Sequence, residues 1–150
     1  MRFDTIGAVG IADAMTVRVV TVRPDETVQL AIARMNEENV GAVAVCEGHK
    51  LVGIFTERDV LRLAGEGSQF GEIKMRDVMT TRVLTLTPDV EIIDAARLMR
   101  EKKIRHVPVV EDGNVLGIVG IRDVMGALVA QVWESRDEAA HETARGLLSR

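Results

Sequence analysis

Short apolar runs alternate with amphipathic segments along this chain, and they recur in a fixed order. Val19-Val20-Thr21-Val22 is a β-branched run stopped by Pro24, which reads as a short strand. Asp25 or Thr27 then caps a helix running to about Asn39, with Val28, Ala31, Ile32 and Met35 on one face at helical spacing. Ala42 to Cys46 is apolar throughout, which predicts a strand buried on both faces. A tight turn, Glu47-Gly48-His49-Lys50, leads into a third strand from Leu51 to Phe55. A second helix follows from Glu57 to Ala64.

The same pattern then appears again. Asp13-Ala14-Met15-Thr16, expected as part of a short helical turn, recurs as Asp77-Val78-Met79-Thr80, an offset of 64 residues. Without a gap, that offset carries Pro24-Asp25 onto Pro88-Asp89, Met35 onto Met99, and Arg58-Asp59-Val60 onto Arg122-Asp123-Val124. One unit of strand, helix, strand, strand, helix is therefore used twice. A sheet this small leaves apolar surface that one copy cannot bury. Packing two copies together covers it and should leave two equivalent clefts between them. The expected units are residues 11–64 and 75–128, joined by a linker over 65–74. The glycines of Gly65-Glu66-Gly67-Ser68-Gln69-Phe70-Gly71 have the wrong spacing for a dinucleotide fingerprint and follow a helix, so a flexible connection is expected.

After Asp123 the last helix runs on without a counterpart in the first unit, giving a tail over 129–150. Leu128, Val129, Val132, Trp133, Ala140, Ala144, Leu147 and Leu148 fall at roughly helical spacing along it. An amphipathic extension carrying the only Trp predicts a contact surface, most simply with a second copy of the chain.

Composition narrows the classes. A net charge of −4 argues against nucleic acid as a major partner, because neutralising a phosphate backbone needs a basic face. The only cysteine, Cys46, lies in an apolar run, which leaves no intrachain disulfide and no Cys-rich zinc site. No apolar run approaches a membrane span, and the start of the chain carries an acid where a secretory signal would not, so a cytoplasmic address is expected. No Ser-His-Asp context, His-Glu-x-x-His zinc motif or P-loop is present, so neither catalytic residues nor a metal site are expected.

The stretch with most chemistry is Gly53-Ile54-Phe55-Thr56-Glu57-Arg58-Asp59. A strand running into a helix N-terminus presents unpaired N–H groups and the positive end of the helix dipole, which favours phosphate. Thr56 and Asp59 add a hydroxyl and a carboxylate suited to phosphate and to paired ribose hydroxyls. The same Thr-x-x-Asp spacing is also a capping box, which needs no ligand.

Taken with its duplication, this pattern resembles the CBS domain, named for cystathionine β-synthase, and the whole chain resembles a tandem pair, or Bateman module. The residues carrying the resemblance are Asp13 to Thr16, Val19 to Val22 with Pro24, and Gly53 to Asp59, with their counterparts in the second unit. The resemblance implies an α/β fold of two tandem β-α-β-β-α repeats packed with pseudo-twofold symmetry, here with a long C-terminal helix. It implies a regulatory module binding AMP, ADP or ATP, with Mg²⁺ as a possible companion, or S-adenosylmethionine or a dinucleotide.

Carried over residue by residue, the resemblance puts Thr21, Val22, Ala42 and Val43 around the base in the first cleft. Thr56 and Asp59 take the ribose side, and Arg58 lies beside them. Arg105, His106 and Arg122 of the second unit reach the phosphates, as the Arg fork and the His donor suit. Arg58, Arg122, Arg105 and His106 also read as solvated surface residues, as most such residues are; so do His49 and His141. The second cleft would use Thr85, Leu86, Val107, Gly120 and Asp123. There Gly120 stands where the first unit has Thr56, and Gly41-Ala42 stand where the second has Arg105-His106. Each lost charge-assisted contact is worth about 1.5–3 kcal/mol, so the second cleft is expected to bind a phosphorylated ligand roughly 100-fold more weakly or to take one with less charge. The expected protein is a homodimeric adenine-nucleotide sensor regulating an enzyme or transporter. The alternatives are a scaffold with degenerate clefts and an accessory subunit of a separate catalytic chain.

Overall fold

The computed structural model describes residues 10–15 and 19–134. Thr16 and the tail positions Ala140, His141, Ala144, Leu147 and Leu148 lie outside the described residues. The first unit contains a 3-10 turn (Ile11–Asp13), β1 (Thr21–Val22), α1 (Val28–Glu38), β2 (Ala42–Glu47), β3 (Lys50–Thr56) and α2 (Glu57–Gly65). The second contains α3 (Met75–Val78), α4 (Ile92–Lys102), β4 (His106–Glu111), β5 (Asn114–Gly120) and α5 (Ile121–Glu134). The fold is mixed α/β, as the repeat implied.

Local chemistry accounts for the boundaries. Thr27 caps α1 by accepting the Leu30 N–H at 3.2 Å, and Asn39 closes it in the left-handed conformation at φ 54°. The β4–β5 turn is made by Asp112 and Gly113, both at positive φ, as a tight hairpin with matching twist requires.

One five-stranded sheet runs through both units in the order β1-β2-β3-β5-β4. Its two hairpins, β2–β3 and β4–β5, pair antiparallel in equivalent registers. They join where the Leu51 N–H donates to the Gly113 carbonyl at 3.2 Å and the Val115 N–H to the His49 carbonyl at 3.3 Å. The offset of 64 exchanges these two bonds, so the pseudo-twofold axis passes through this junction.

Each core is completed by the other unit. Met75, at the start of α3, is fully buried among Val28, Met35, Val45, Phe55 and Leu63 of the first unit. Reciprocally, Ile11 is buried among Ile92, Met99, Val107 and Val119 of the second. The backbone repeats the exchange: Met75 N–H donates to the Glu26 carbonyl at 2.9 Å, and Ile11 N–H to the Val90 carbonyl at 2.7 Å. After α3 the chain stays against the first unit, because Ile54 and Thr80 exchange two backbone hydrogen bonds of 3.0 Å. Gly53 permits the approach, since a Cβ there would lie 2.6 Å from Met79 Sδ.

Two elements differ from expectation. The counterpart of β1, expected over Val83 to Leu86, is reduced to a single parallel bridge between Leu86 and Val109. The preceding residues serve a cleft wall instead. The linker is also tied down. The Phe70 and Ile73 carbonyls accept the Gln29 and Val28 N–H groups at 3.0 and 2.9 Å, satisfying donors that the start of α1 leaves open. Phe70 packs against the first core.

No helix among the described residues is long and apolar enough to cross a membrane. Cys46 is buried, and burial pushes its thiol pKa up, which suits an inert core position.

Candidate functional site

The β3–α2 junction is built as a capping box. Asp59 Oδ2 accepts the Thr56 N–H at 2.9 Å and the Thr56 hydroxyl at 3.3 Å. Its other oxygen, Oδ1, faces Arg62 Nη2 at 3.5 Å. Structural capping thus uses one carboxylate oxygen and leaves the second against a half-exposed arginine. The twin junction repeats the bond, with the Gly120 N–H donating to Asp123 Oδ2 at 3.0 Å, but without a hydroxyl.

Each junction opens into a cleft between the units. The first cleft has a volume of about 430 Å³ and combines three kinds of surface. Thr56, Arg58 and Asp59 come from the start of α2; Thr80, Arg82, Val83 and Leu84 from the segment after α3; Lys103, Ile104, Arg105 and His106 from the α4–β4 connection. Ile54, Leu61, Val83, Leu84 and Ile104 give it an apolar lining beside its charged groups. The second cleft, of about 520 Å³, is the pseudo-symmetric counterpart. It combines Gly120, Arg122 and Asp123 with Val19 and Val20 and with the α1–β2 connection around Asn39, Val40, Gly41 and Ala42. Both volumes lie in the range of small-molecule sites.

The expected site residues are thereby sorted. Thr56, Arg58, Asp59, Arg105 and His106 come together in the first cleft. Ala42 and Arg122, expected there, line the second with Gly120 and Asp123. Val22 and Val43 lie in the first core, at 2% and 0% exposure, and Val107 lies in the second core, at 0%. Thr21, Thr85 and Leu86 line neither cleft. The physical reason is the exchange of leading segments: each unit's carboxylate faces a wall from the other unit, not its own first two strands.

Arg82, Lys103 and Glu57 were not singled out from the sequence. Lys103 is marked only by comparison with its twin Asn39, and Glu57 by its twin Ile121, where no charge stands. Arg82 follows from the crossing of the chain at Thr80, which the linear pattern does not reveal.

Glu57, Arg105 and His106 line both clefts and form the partition between them. A Cβ on Gly41 would lie 3.2 Å from both His106 Nε2 and Glu57 Oε1, so a side chain there would crowd this partition. Burial holds His106 below the usual histidine pKa; Glu57 and Asp123 pull the other way, and Arg105 adds to the depression. Free histidine titrates near 6.5. A depressed folded value means that the unfolded chain binds the proton more readily. The contribution of neutral His106 is therefore complete above about pH 6.5 and is lost as pH falls from there through the folded value. The urea midpoint is expected to drop over that window, and His106→Gln should flatten the slope. An unchanged slope in the variant would place the titration elsewhere.

Among the described residues, no group of three or more His, Cys, Asp or Glu is arranged to hold a metal ion.

With the two clefts built from a repeated strand–cap–helix junction, the fold and its internal symmetry define a tandem-domain architecture with a cleft at each junction. The sequence signature of the CBS domain matches residues 11–66 and 75–130, and the chain belongs to that family. It is 37% identical over 115 residues to the CBS domain-containing protein YhcV of Bacillus subtilis (strain 168), covering 76% of this chain and 81% of that one. The crystal structure of the CBS domain protein NE2398 superposes with a TM-score of 0.75 at 30% identity, over 82% of this chain and 99% of the other. The CBS domain pair of protein MJ0100, solved with 5′-methylthioadenosine and S-adenosyl-L-methionine, superposes at TM-score 0.77 over 83% of this chain and 99% of that one. At 23% identity this match bears on the fold alone.

Proposed function

We propose that this chain is a regulatory CBS pair that binds an adenine nucleotide in its first cleft. The observation carrying this reading is the composition of that cleft. Apolar side chains suited to a base, the Asp59 carboxylate suited to ribose hydroxyls, and Arg58, Arg82, Lys103, Arg105 and His106 suited to phosphate line one cavity. S-adenosylmethionine and dinucleotides share the adenosyl part and are competing ligands. Mg²⁺ would enter with the phosphates.

The cleft is walled by both units, so a ligand holds them in one relative arrangement. It shifts that arrangement only by its differential affinity for two states. A regulated enzyme or transporter would read the shift. Calorimetric titration with AMP, ADP, ATP and S-adenosylmethionine tests the reading. One saturable site is expected; absence of binding by all four would favour the scaffold.

A homodimer is part of the same proposal. Met125, Val129 and Trp133 follow one another at four-residue spacing on α5 and are 52%, 53% and 38% exposed. Leu61, the twin of Met125, is 75% exposed on α2. Such a pseudo-symmetric apolar face suits an isologous contact. Met125→Glu is expected to shift the species seen by sedimentation from dimer to monomer with the helical circular dichroism retained. An undisturbed dimer would place the contact on another face.

A further inference from the structure

The two clefts are equivalent in backbone and unlike in charge. We infer that they select ligands by charge: the first takes a nucleoside di- or triphosphate, the second a nucleoside without a phosphate chain. This rests on the reading of the first cleft as a nucleotide site.

The difference is concentrated in one short connection. In the second unit it reads Arg100-Glu101-Lys102-Lys103-Ile104-Arg105-His106; at the twin positions the first unit reads Asn36-Glu37-Glu38-Asn39-Val40-Gly41-Ala42. The last turn of α4 carries Arg100 and Lys102, and that of α1 carries no basic residue. Lys103 lines the first cleft only and Asn39, Gly41 and Ala42 the second only, while Arg105 and His106, in the partition, line both. Arg82 adds to the charge of the first cleft; its twin Arg18 lies outside the described residues, so the second cleft is compared through its described residues.

Lys103 carries an independent mark. It closes α4 in the left-handed region at φ 55°, as Asn39 closes α1 at φ 54°. Asn adopts this conformation several-fold more readily than Lys. The first unit thus has the residue the backbone prefers, and the second has a cation held against that preference at the wall of a cavity. Strain of this kind clusters where a ligand is clamped.

Charge matching sets the number of phosphates. Arg58, Arg82, Lys103 and Arg105 face Glu57 in the first cleft, while Asp59 is already opposed by Arg62. A terminal phosphate carries about −1.5 to −2 at neutral pH, too little for the three positive charges that remain. A second phosphate brings the ligand close to that balance. In the second cleft, Arg105 and Arg122 are offset by Glu57 and Asp123 among the described residues, and Asn36 and Asn39 offer neutral hydrogen bonds. Such a site favours a neutral molecule with paired hydroxyls for Asp123.

The test titrates the full chain and Lys103→Asn with adenosine, AMP and ADP. The wild-type protein should bind one equivalent of ADP, more tightly than AMP, and adenosine should still titrate one equivalent with ADP at saturation. Lys103→Asn should weaken ADP about tenfold or more, as loss of one charge-assisted contact implies, and adenosine far less. It should also melt at or above the wild-type temperature, because the strained position is relieved. That result separates a lost contact from a damaged fold. Two equivalents of ADP bound alike, or a Lys103→Asn protein that binds ADP as tightly as wild type, would overturn the inference while leaving the nucleotide reading intact. Failure of the wild type to bind adenosine, AMP or ADP would overturn both.

Discussion

Met75→Ala is expected to lower the free energy of unfolding by about 2–5 kcal/mol, the range for truncating a fully buried large aliphatic side chain. Met75 belongs to the second unit by sequence, yet it is 0% exposed inside the first unit's core, beside Phe55, Leu63 and Met35. Its backbone N–H is committed to the Glu26 carbonyl at 2.9 Å, so the segment cannot easily withdraw to let the cavity collapse. The exchange has a further consequence. Since Ile11 fills the second core in the same way, neither unit retains a complete core when the other unfolds. Urea unfolding should therefore show one cooperative transition for both repeats, with its midpoint lowered in Met75→Ala and its slope unchanged. Glu37→Ala, at an exposed position of α1 that lines neither cleft, is the control and should fall within about 0.5 kcal/mol of wild type. Two separate transitions, or a loss below about 1 kcal/mol in Met75→Ala, would show that the crossing segments do not lock the units together.

Asp59→Ala is expected to weaken binding in the first cleft by roughly 10- to 150-fold, corresponding to about 1.5–3 kcal/mol for one charge-assisted contact to ribose. The carboxylate serves two roles, and the variant separates them by size. Loss of the cap to the Thr56 N–H should cost about 0.5–2 kcal/mol of stability. The Asp123→Ala twin removes the same cap at Gly120 without touching the first cleft. Comparable stability losses in the two variants, with ADP affinity reduced mainly in Asp59→Ala, would assign the binding role to Asp59. Equal losses of ADP affinity in both would reduce Asp59 to a capping residue. Ligand protection gives a second reading of the same quantity, because ligand at 100 times its Kd adds about 2.7 kcal/mol to the stability of the wild type.

The fold was legible because its signals are local and occur twice. Apolar runs at Ala42–Cys46 and Val107–Val109, the Thr27 cap and the Asp112-Gly113 turn each specify an element without distant information. The ungapped offset then fixed their pairing. The Thr56 and Asp59 junction was legible for the same reason, whereas the gathering of Arg105 and His106 opposite it followed only from the family resemblance. The apolar wall of the first cleft was not legible. Val22 and Val43 look like cleft residues only if each unit keeps its own leading segment; once Met75 and Ile11 are exchanged, those valines become core and Val83 and Leu84 take their place. Arg122 moved to the second cleft for the same reason. A long-range exchange leaves no trace in periodicity, because Met75 and Ile11 have the same apolar character whichever core they enter. Glu57 at the partition was hidden by its position inside a capping motif, where an acid in the first helical turn is ordinary.

On this reading the ligand lies between the units, with the repeat-one carboxylate and the repeat-two cations on one molecule. A crystal structure of the full chain grown with ADP tests it most directly. Nucleotide density is expected with the ribose at Asp59, the base against Val83, Leu84 and Ile104, and the phosphates at Lys103 and Arg105. Nucleotide bound elsewhere, or an empty first cleft at saturating ADP, would contradict it.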